Sequence, residues 1–454
     1  MKATVFLLCA VAAGGTLAHG FEERYDLPVP LAYVVAAACM AVGMTFLAAV
    51  LFARRRPAGP HRPCGVTFTL PAPVVWLIRA LSWLIFLLTI AAALWGSRDP
   101  LMNLAPTLVW IVWWVGLSFL SALVRGAWTV IDPWRTSFDM LDALARRLGR
   151  PRGFTLRWHW PAALGQWPAV ALLLSWCALE VVFSLPSSPF KLGCAAVLWT
   201  AVSLCGMGAF GRAKWQSNAD MFALAFATLG RMAPLRLRTD AKPPDGAPAP
   251  APFVIAMLAT VIFDSLHGGQ AWSLFEGALR RVAPQWMDIN GVVAGITGLV
   301  CVWALFLLAY TATLRLSLAL MRPVRVPPVT LVLTLVPIAL AYNVAHNFSS
   351  LLLQGQRVFQ LLSDPFGWQW DLFGTARWYP DIAFVDARLT WFVAVTAIVT
   401  GHVAAIWWSH RVVLDAGVPP GRAARAMLPM SLLMLAYTAV SMVLIAEPMV
   451  MAGP

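Results

Sequence analysis

Ten apolar stretches, near residues 31–52, 74–95, 106–124, 161–183, 191–210, 252–267, 289–318, 327–353, 389–410 and 426–446, constrain this chain more than any motif it carries. A helix rises 1.5 Å per residue, so roughly 20 apolar residues cross the hydrocarbon core of a bilayer. The recurrence predicts an all-α fold, a polytopic transmembrane bundle of about ten helices. With 60% hydrophobic and only 12% charged residues among 454, the chain also lacks the polar surface of an ordinary soluble domain.

The formal charge of +13 comes from 33 Lys and Arg against 20 Asp and Glu. Such an excess could suggest nucleic acid, but the basic residues sit between the apolar runs. "ARRRP" (53–57), "ARRLGRPRGFTLR" (145–157) and "RLRTDAK" (236–242) fall in alternate loops, the distribution expected of cytoplasmic loops, and nucleic-acid binding is not expected. The stretch "DPWRTSFDMLDALARRLGR" (132–150) places Trp134, Phe138, Leu141, Ala145 and Leu148 at spacings of three and four, opposite Arg146, Arg147 and Arg150. It reads as an amphipathic helix lying on the cytoplasmic interface.

The opening "MKATVFLLCAVAAGGTLAHG" has one Lys, a short apolar core and Thr16-Leu17-Ala18 as a small-residue cleavage site. Residues 1–18 therefore read as a signal peptide, leaving His19 as the first mature residue and both mature termini in the periplasm of a bacterial inner membrane. The Pro/Ala stretch 239–252 reads as a linker between a five-helix half at 19–238 and a second at 253–454 that carries the His-rich site. The seven Cys show no disulfide framework and no zinc-knuckle spacing.

The stretch "AYNVAHNFSS" (341–350) interrupts an apolar run long enough to span. At 100° per residue, Tyr342, Asn343, His346, Ser349 and Ser350 share one helical face. Ionisable groups at such depth are costly and normally face a bundle interior or a wet cavity. Asp264 and His267 in "FDSLHGGQ" are three apart, a spacing that suits two ligands of one metal, and Glu180 in "CALEVVF" lies near the same side of the membrane. His402 and His410 in "GHVAAIWWSH" are about 12 Å apart along a helix, too far for one mononuclear site. His402 is the candidate, and His410, beside Arg411, reads as an interfacial residue. A mature N-terminal His19 would offer an amine and an imidazole to one metal, an arrangement suited to copper.

"AHGFEERYDLPVPL", "ALAYNVAHNFSSLLLQGQ" and "GHVAAIWWSHRVVL" resemble segments of a bacterial integral-membrane family named fenitrothion hydrolase, an organophosphorus hydrolase. The resemblance implicates His19, His346, His402 and His410, with Glu180 and Asp264 as intramembrane carboxylates. It implies hydrolysis of a neutral, lipophilic phosphotriester that reaches its site from the bilayer. The expected scheme has a divalent metal, zinc before copper, held by His346, His402, His267 and Asp264. Glu180 would orient or deprotonate the water, and Asn343 and Tyr342 would hydrogen-bond a ligand or the developing oxyanion. The aryl ring would rest among Trp368, Trp370 and Trp378 of the long outer loop. A copper-binding or copper-oxidising protein and a proton- or metal-coupled transporter are the alternative expectations.

Overall fold

The computed structural model describes residues 30–53, 65–183, 185–238, 249–284, 291–381, 383 and 385–446. The expected signal peptide, His19 and residues 239–248 of the linker lie outside these. The first part of the chain forms α1 (Leu31–Phe52), β1 (Val66–Thr69), α2 (Ala72–Trp95), α3 (Leu104–Leu123), β2 (Val124–Arg125), α4 (Ala127–Ile131) and α5 (Pro133–Arg147). There follow α6 (Trp167–Val182), α7 (Pro189–Phe210), α8 (Arg212–Asn218), α9 (Met221–Leu229) and β3 (Leu235–Arg238). The remainder is α10 (Ala251–His267), α11 (Gln270–Val282), α12 (Val292–Met321), α13 (Pro328–Leu353), α14 (Arg357–Ser363), α15 (Ala387–Asp415) and α16 (Pro420–Ala446).

Among the described residues a helix covers most of each of the ten apolar stretches, although in the fourth it begins only at Trp167 and is shorter than the rest. Among the described residues, eight helices (α1, α2, α3, α7, α12, α13, α15 and α16) are each long and apolar enough to cross a bilayer. The helices α10 and α11 make a ninth span if taken together, bent by 73° where Gly268 and Gly269 break the helical run. Leu77, Leu81 and Leu84 on α2 and Leu305, Leu308 and Leu316 on α12 point outward and are exposed, as suits side chains that lipid covers. The chain is a multi-pass membrane protein.

Sequence patterning does not announce one feature, a small parallel sheet in the order β1-β3-β2, with Leu235 opposite both Val66 and Val124. Its strands have only four, four and two residues, too short for an alternation to register. The sheet ties the start of α2 and the end of α3 to the segment leading into α10. It defines one face of the bundle, the sheet face. On the opposite, loop face, the Ser97 N–H donates to Phe366 O at 2.7 Å and the Leu104 N–H to Pro365 O at 3.2 Å. The helix α7 runs antiparallel to α2, since a Cβ on Gly193 near its start would meet Ala93 and Leu94 near the end of α2. Its end, and the following α8, therefore return to the sheet face.

From there α9 dips into the bundle and comes back to β3. Asp220 caps it, its Oδ1 accepting from the Ala223 N–H at 3.0 Å. Every residue of α9 except Ala227 is buried, which is why "MFALAFATL" carries no polar face. Phe222 sits at the centre of an aromatic cluster, with ring centroids 4.5 Å from Trp113, 5.8 Å from Trp134, 5.2 Å from Trp176 and 5.1 Å from Trp199. The helix α5 is amphipathic as its spacing predicts. Trp134, Phe138 and Ala145 are buried while Leu148 is exposed just past its end.

Pro337 cannot donate a backbone hydrogen bond, and α13 tightens to a 3₁₀ turn at Leu333–Leu335 just before it. A Cβ on Gly401 of α15 would lie 2.4 Å from the Ala341 Cβ and 2.8 Å from Pro337 O, so the two helices touch at backbone distance here. Gly401→Val forces them apart, and thermal unfolding in detergent is expected to report a loss of roughly 1–3 kcal/mol. An unchanged melting temperature would show that the contact yields freely.

Candidate functional site

A cavity of about 60 Å³ lies between α3, α6, α9, α10 and α13. Toward the loop face its polar lining is Glu180, Asp264, His346 and Asn347; deeper it meets Ser118, Met257 and Leu229. Residues before and after the Pro/Ala stretch contribute equally, so the site is built between the two parts of the chain and not within the second alone. Two of its walls come from widened, π-helical segments, Thr107–Gly116 with Trp114 and Ala178–Val182 with Glu180. Such widening is rare and recurs at functional sites.

Asp264 is three residues from the end of α10 and His346 seven from the end of α13, which brings them level. His346 Nε2 lies 2.7 Å from Asp264 Oδ2 and His346 Nδ1 lies 3.2 Å from Ser265 Oγ. Ser265 Oγ is also 3.2 Å from Val261 O and accepts from the Tyr342 hydroxyl at 3.4 Å. The dyad has two fully bonded states. With a neutral ring, Nε2–H donates to Asp264 and the Ser265 hydroxyl donates to Nδ1. With a protonated ring, both nitrogens donate and the Ser265 hydroxyl turns to Val261 O. Gaining a proton therefore strands no buried polar group, which is what a proton-holding pair requires.

Asp264 is the more open partner, its side chain 37% exposed against 19% for His346. Its second carboxylate oxygen is left for water. Ser265 is buried behind the imidazole and does not line the cavity, so it holds the ring and is not placed as a nucleophile. Glu180 lines the same cavity, close enough for its charge and that of Asp264 to repel. Asn343 also lines it, with a buried Oδ1 that has no partner among the described residues.

The structure thus brings together Glu180, Asp264, Asn343 and His346. Tyr342 turns away from the cavity toward Ser265. His267 does not line it; its ring packs 5.1 Å from that of Trp272 on α11. His402 is 1% exposed, its Nδ1 lies 2.9 Å from Ile398 O, and it too is outside the lining. His410, expected at the interface, is also buried, edge-on to Phe46 of α1, because α1 covers that end of α15. Trp368, Trp370 and Trp378 are exposed in the segment between α14 and α15, and none of them lines the cavity.

Sequence reasoning missed Ser265, Asn347, Thr260 and Ser118. Ser265 and Asn347 directly follow residues that it did select, Asp264 and His346, or lie within one turn of them, and that adjacency was the available signal. A metal does not fit the residues as they stand. Both nitrogens of His346 are engaged by protein partners, and among the described residues no three of His, Cys, Asp and Glu converge on one point. Comparison with models of known protein families finds no match, and comparisons with curated proteins and with solved structures find none either.

Proposed function

We propose that this chain is a membrane-embedded hydrolase of lipophilic phosphotriesters, in which the Asp264–His346 pair activates a water molecule held in the cavity. The observation that carries the reading is the dyad itself. A carboxylate with one free oxygen faces a water-sized space, is held on its other oxygen by the imidazole N–H, and shares that space with a second carboxyl group, Glu180. A water needs about 10–15 Å³ of such space, so the cavity takes roughly four. A drug-sized ligand needs roughly 300 Å³ or more, so only the nucleophile enters and the triester presents its phosphorus at the rim.

In this scheme the free oxygen of Asp264 accepts one proton of the water, and the water oxygen bonds to phosphorus as the P–O-aryl bond breaks. The phenolate leaves with a proton from Glu180, and the second product is the dialkyl thiophosphoric acid. Ser265 and Tyr342 keep the imidazole aimed at Asp264, and Asn343 would hydrogen-bond the water held in the cavity. The choice of a phosphorus ester follows the sequence resemblance to organophosphorus hydrolases.

The test is release of the phenol from an aryl thiophosphate by purified protein in detergent or liposomes. Turnover is expected in the wild type and, within about tenfold, in Ser265→Ala, because a group that only orients the base can be lost more cheaply than the base. No turnover by well-folded wild-type protein would end the hydrolase reading. Complete loss in Ser265→Ala would show that the hydroxyl does more than orient the ring.

A further inference from the structure

Beneath the aromatic cluster, on the sheet face, lies a second group of buried ionisable residues that the cavity chemistry does not use. Asp132 caps α5, its Oδ1 accepting from the Arg135 N–H at 3.0 Å, while its Oδ2 accepts from Gln216 of α8 at 2.6 Å. Asp220, capping α9, is fully buried, and its Oδ2 has no partner among the described residues. Asp132 lies near enough to act on it electrostatically. Around this pair stand Arg135, also buried, and Arg79 and Arg212, which both bind Asp139. Asp139 and Arg212, with side chains 27% and 33% exposed, carry the network out to the surface.

An unpartnered carboxylate oxygen without solvent is costly when charged and acceptable when protonated. Burial first, and then the neighbouring Asp132, raise the Asp220 carboxyl to about 7; burial raises Asp132 to about 6. Both lie outside the spanning helices. The distance from here to the water cavity is one aromatic layer. Phe222, two residues after Asp220, packs on Trp114 and Trp176 at 5.7 and 5.2 Å, and those two rings are themselves cavity walls.

We propose that Asp220 and Asp132 form a proton-holding site on the sheet face, and that this site and the water cavity are the two ends of one proton path through the bundle, closed at Phe222. The path goes beyond the hydrolase reading and does not rest on it. A proton taken up at Asp220 passes to water only when the short helix α9 shifts and Phe222 leaves its place between Trp114 and Trp176. The cavity already reaches α9 at Ala225 and Leu229.

The test uses purified full-length protein in liposomes holding a pH-sensitive dye, with an imposed pH difference and a potassium diffusion potential. Phe222→Ala is expected to raise proton influx about tenfold or more over wild type. Adding Asp220→Asn, which keeps the helix cap, is expected to return it to the wild-type level. A leak that persists in the double variant, or no leak from a folded Phe222→Ala protein, overturns the proposal. Should Phe222→Ala not fold, infrared difference spectra of wild type and Asp220→Asn across neutral pH decide it. A protonated-carboxyl band lost in Asp220→Asn supports the site, and an identical band in both overturns it. Neither measurement involves an ester, so failure here is separate from failure of the hydrolase assay.

Discussion

On the proposed scheme, Asp264→Asn is expected to lower phosphotriester turnover by about 10²–10⁴, the usual contribution of a positioned general base. The amide keeps the size and one oxygen of the carboxylate, so packing between α10 and α13 survives, but it cannot take a proton from water. His346→Ala is expected to act through the same step. With the imidazole gone, Ser265 loses its partner at 3.2 Å and Asp264 its partner at 2.7 Å, and nothing holds the carboxylate toward the water. Because the two residues work as a unit, the double variant is expected to be no worse than Asp264→Asn alone. Phenol release under single-turnover conditions, with monodispersity in detergent as the folding control, measures all three. Multiplicative losses would mean that the residues act separately, and undiminished turnover in Asp264→Asn would remove the base from the scheme.

The largest effect on stability is expected at Asp132. Its side chain is 1% exposed and bonded on both oxygens, to the Arg135 N–H and to Gln216 Nε2. Asp132→Ala removes a helix cap, about 1 kcal/mol, and strands the Gln216 donor in a buried site, a further 1–3 kcal/mol or so. It also removes one of the two carboxylates, the other being Asp139, whose charge acts on the buried Arg135. Asp132→Asn keeps the cap and is expected to lose less. Thermal melts in detergent, read by intrinsic fluorescence, distinguish the two. Equal melting temperatures for wild type and Asp132→Ala would show that the ionic group at the base of α9 does not hold it.

The helices were legible because roughly 20 apolar residues in a row have few other ways to be buried, and eight of the runs are helices long enough to span, or nine with α10 and α11 together, while α6 is shorter. The facing of Asn343 and His346 was legible too, since helical periodicity fixes which residues share a side. What periodicity cannot supply is the partner helix. It gave Asp264 and His267 equal standing, yet Asp264 meets His346 while His267 turns to Trp272 beyond the Gly268-Gly269 break. His402 stood as a partner for His346 as an intramembrane imidazole that the resemblance implicated, but its Nδ1 lies on Ile398 O and it does not line the cavity. The sheet face was least legible. Its strands are very short, and the nine residues of α9 fall outside the ten apolar stretches, its partners, the Trp residues of α3, α6 and α7, lying far off in sequence.

The mixed parentage of the cavity also bears on how the protein is made. Synthesis proceeds from the N-terminus, so α6 enters the membrane while the ribosome has not yet reached α10 or α13. Glu180 must therefore wait without the two helices that will enclose it. Its place two residues before the end of α6 makes that wait tolerable, since a carboxylate so near the boundary can reach back to interfacial water. Only when α13 is threaded, more than a hundred residues later, can Asp264 and His346 close over it. The acidic residue placed first is the one that can be left wet, and the histidine that seals the site comes last.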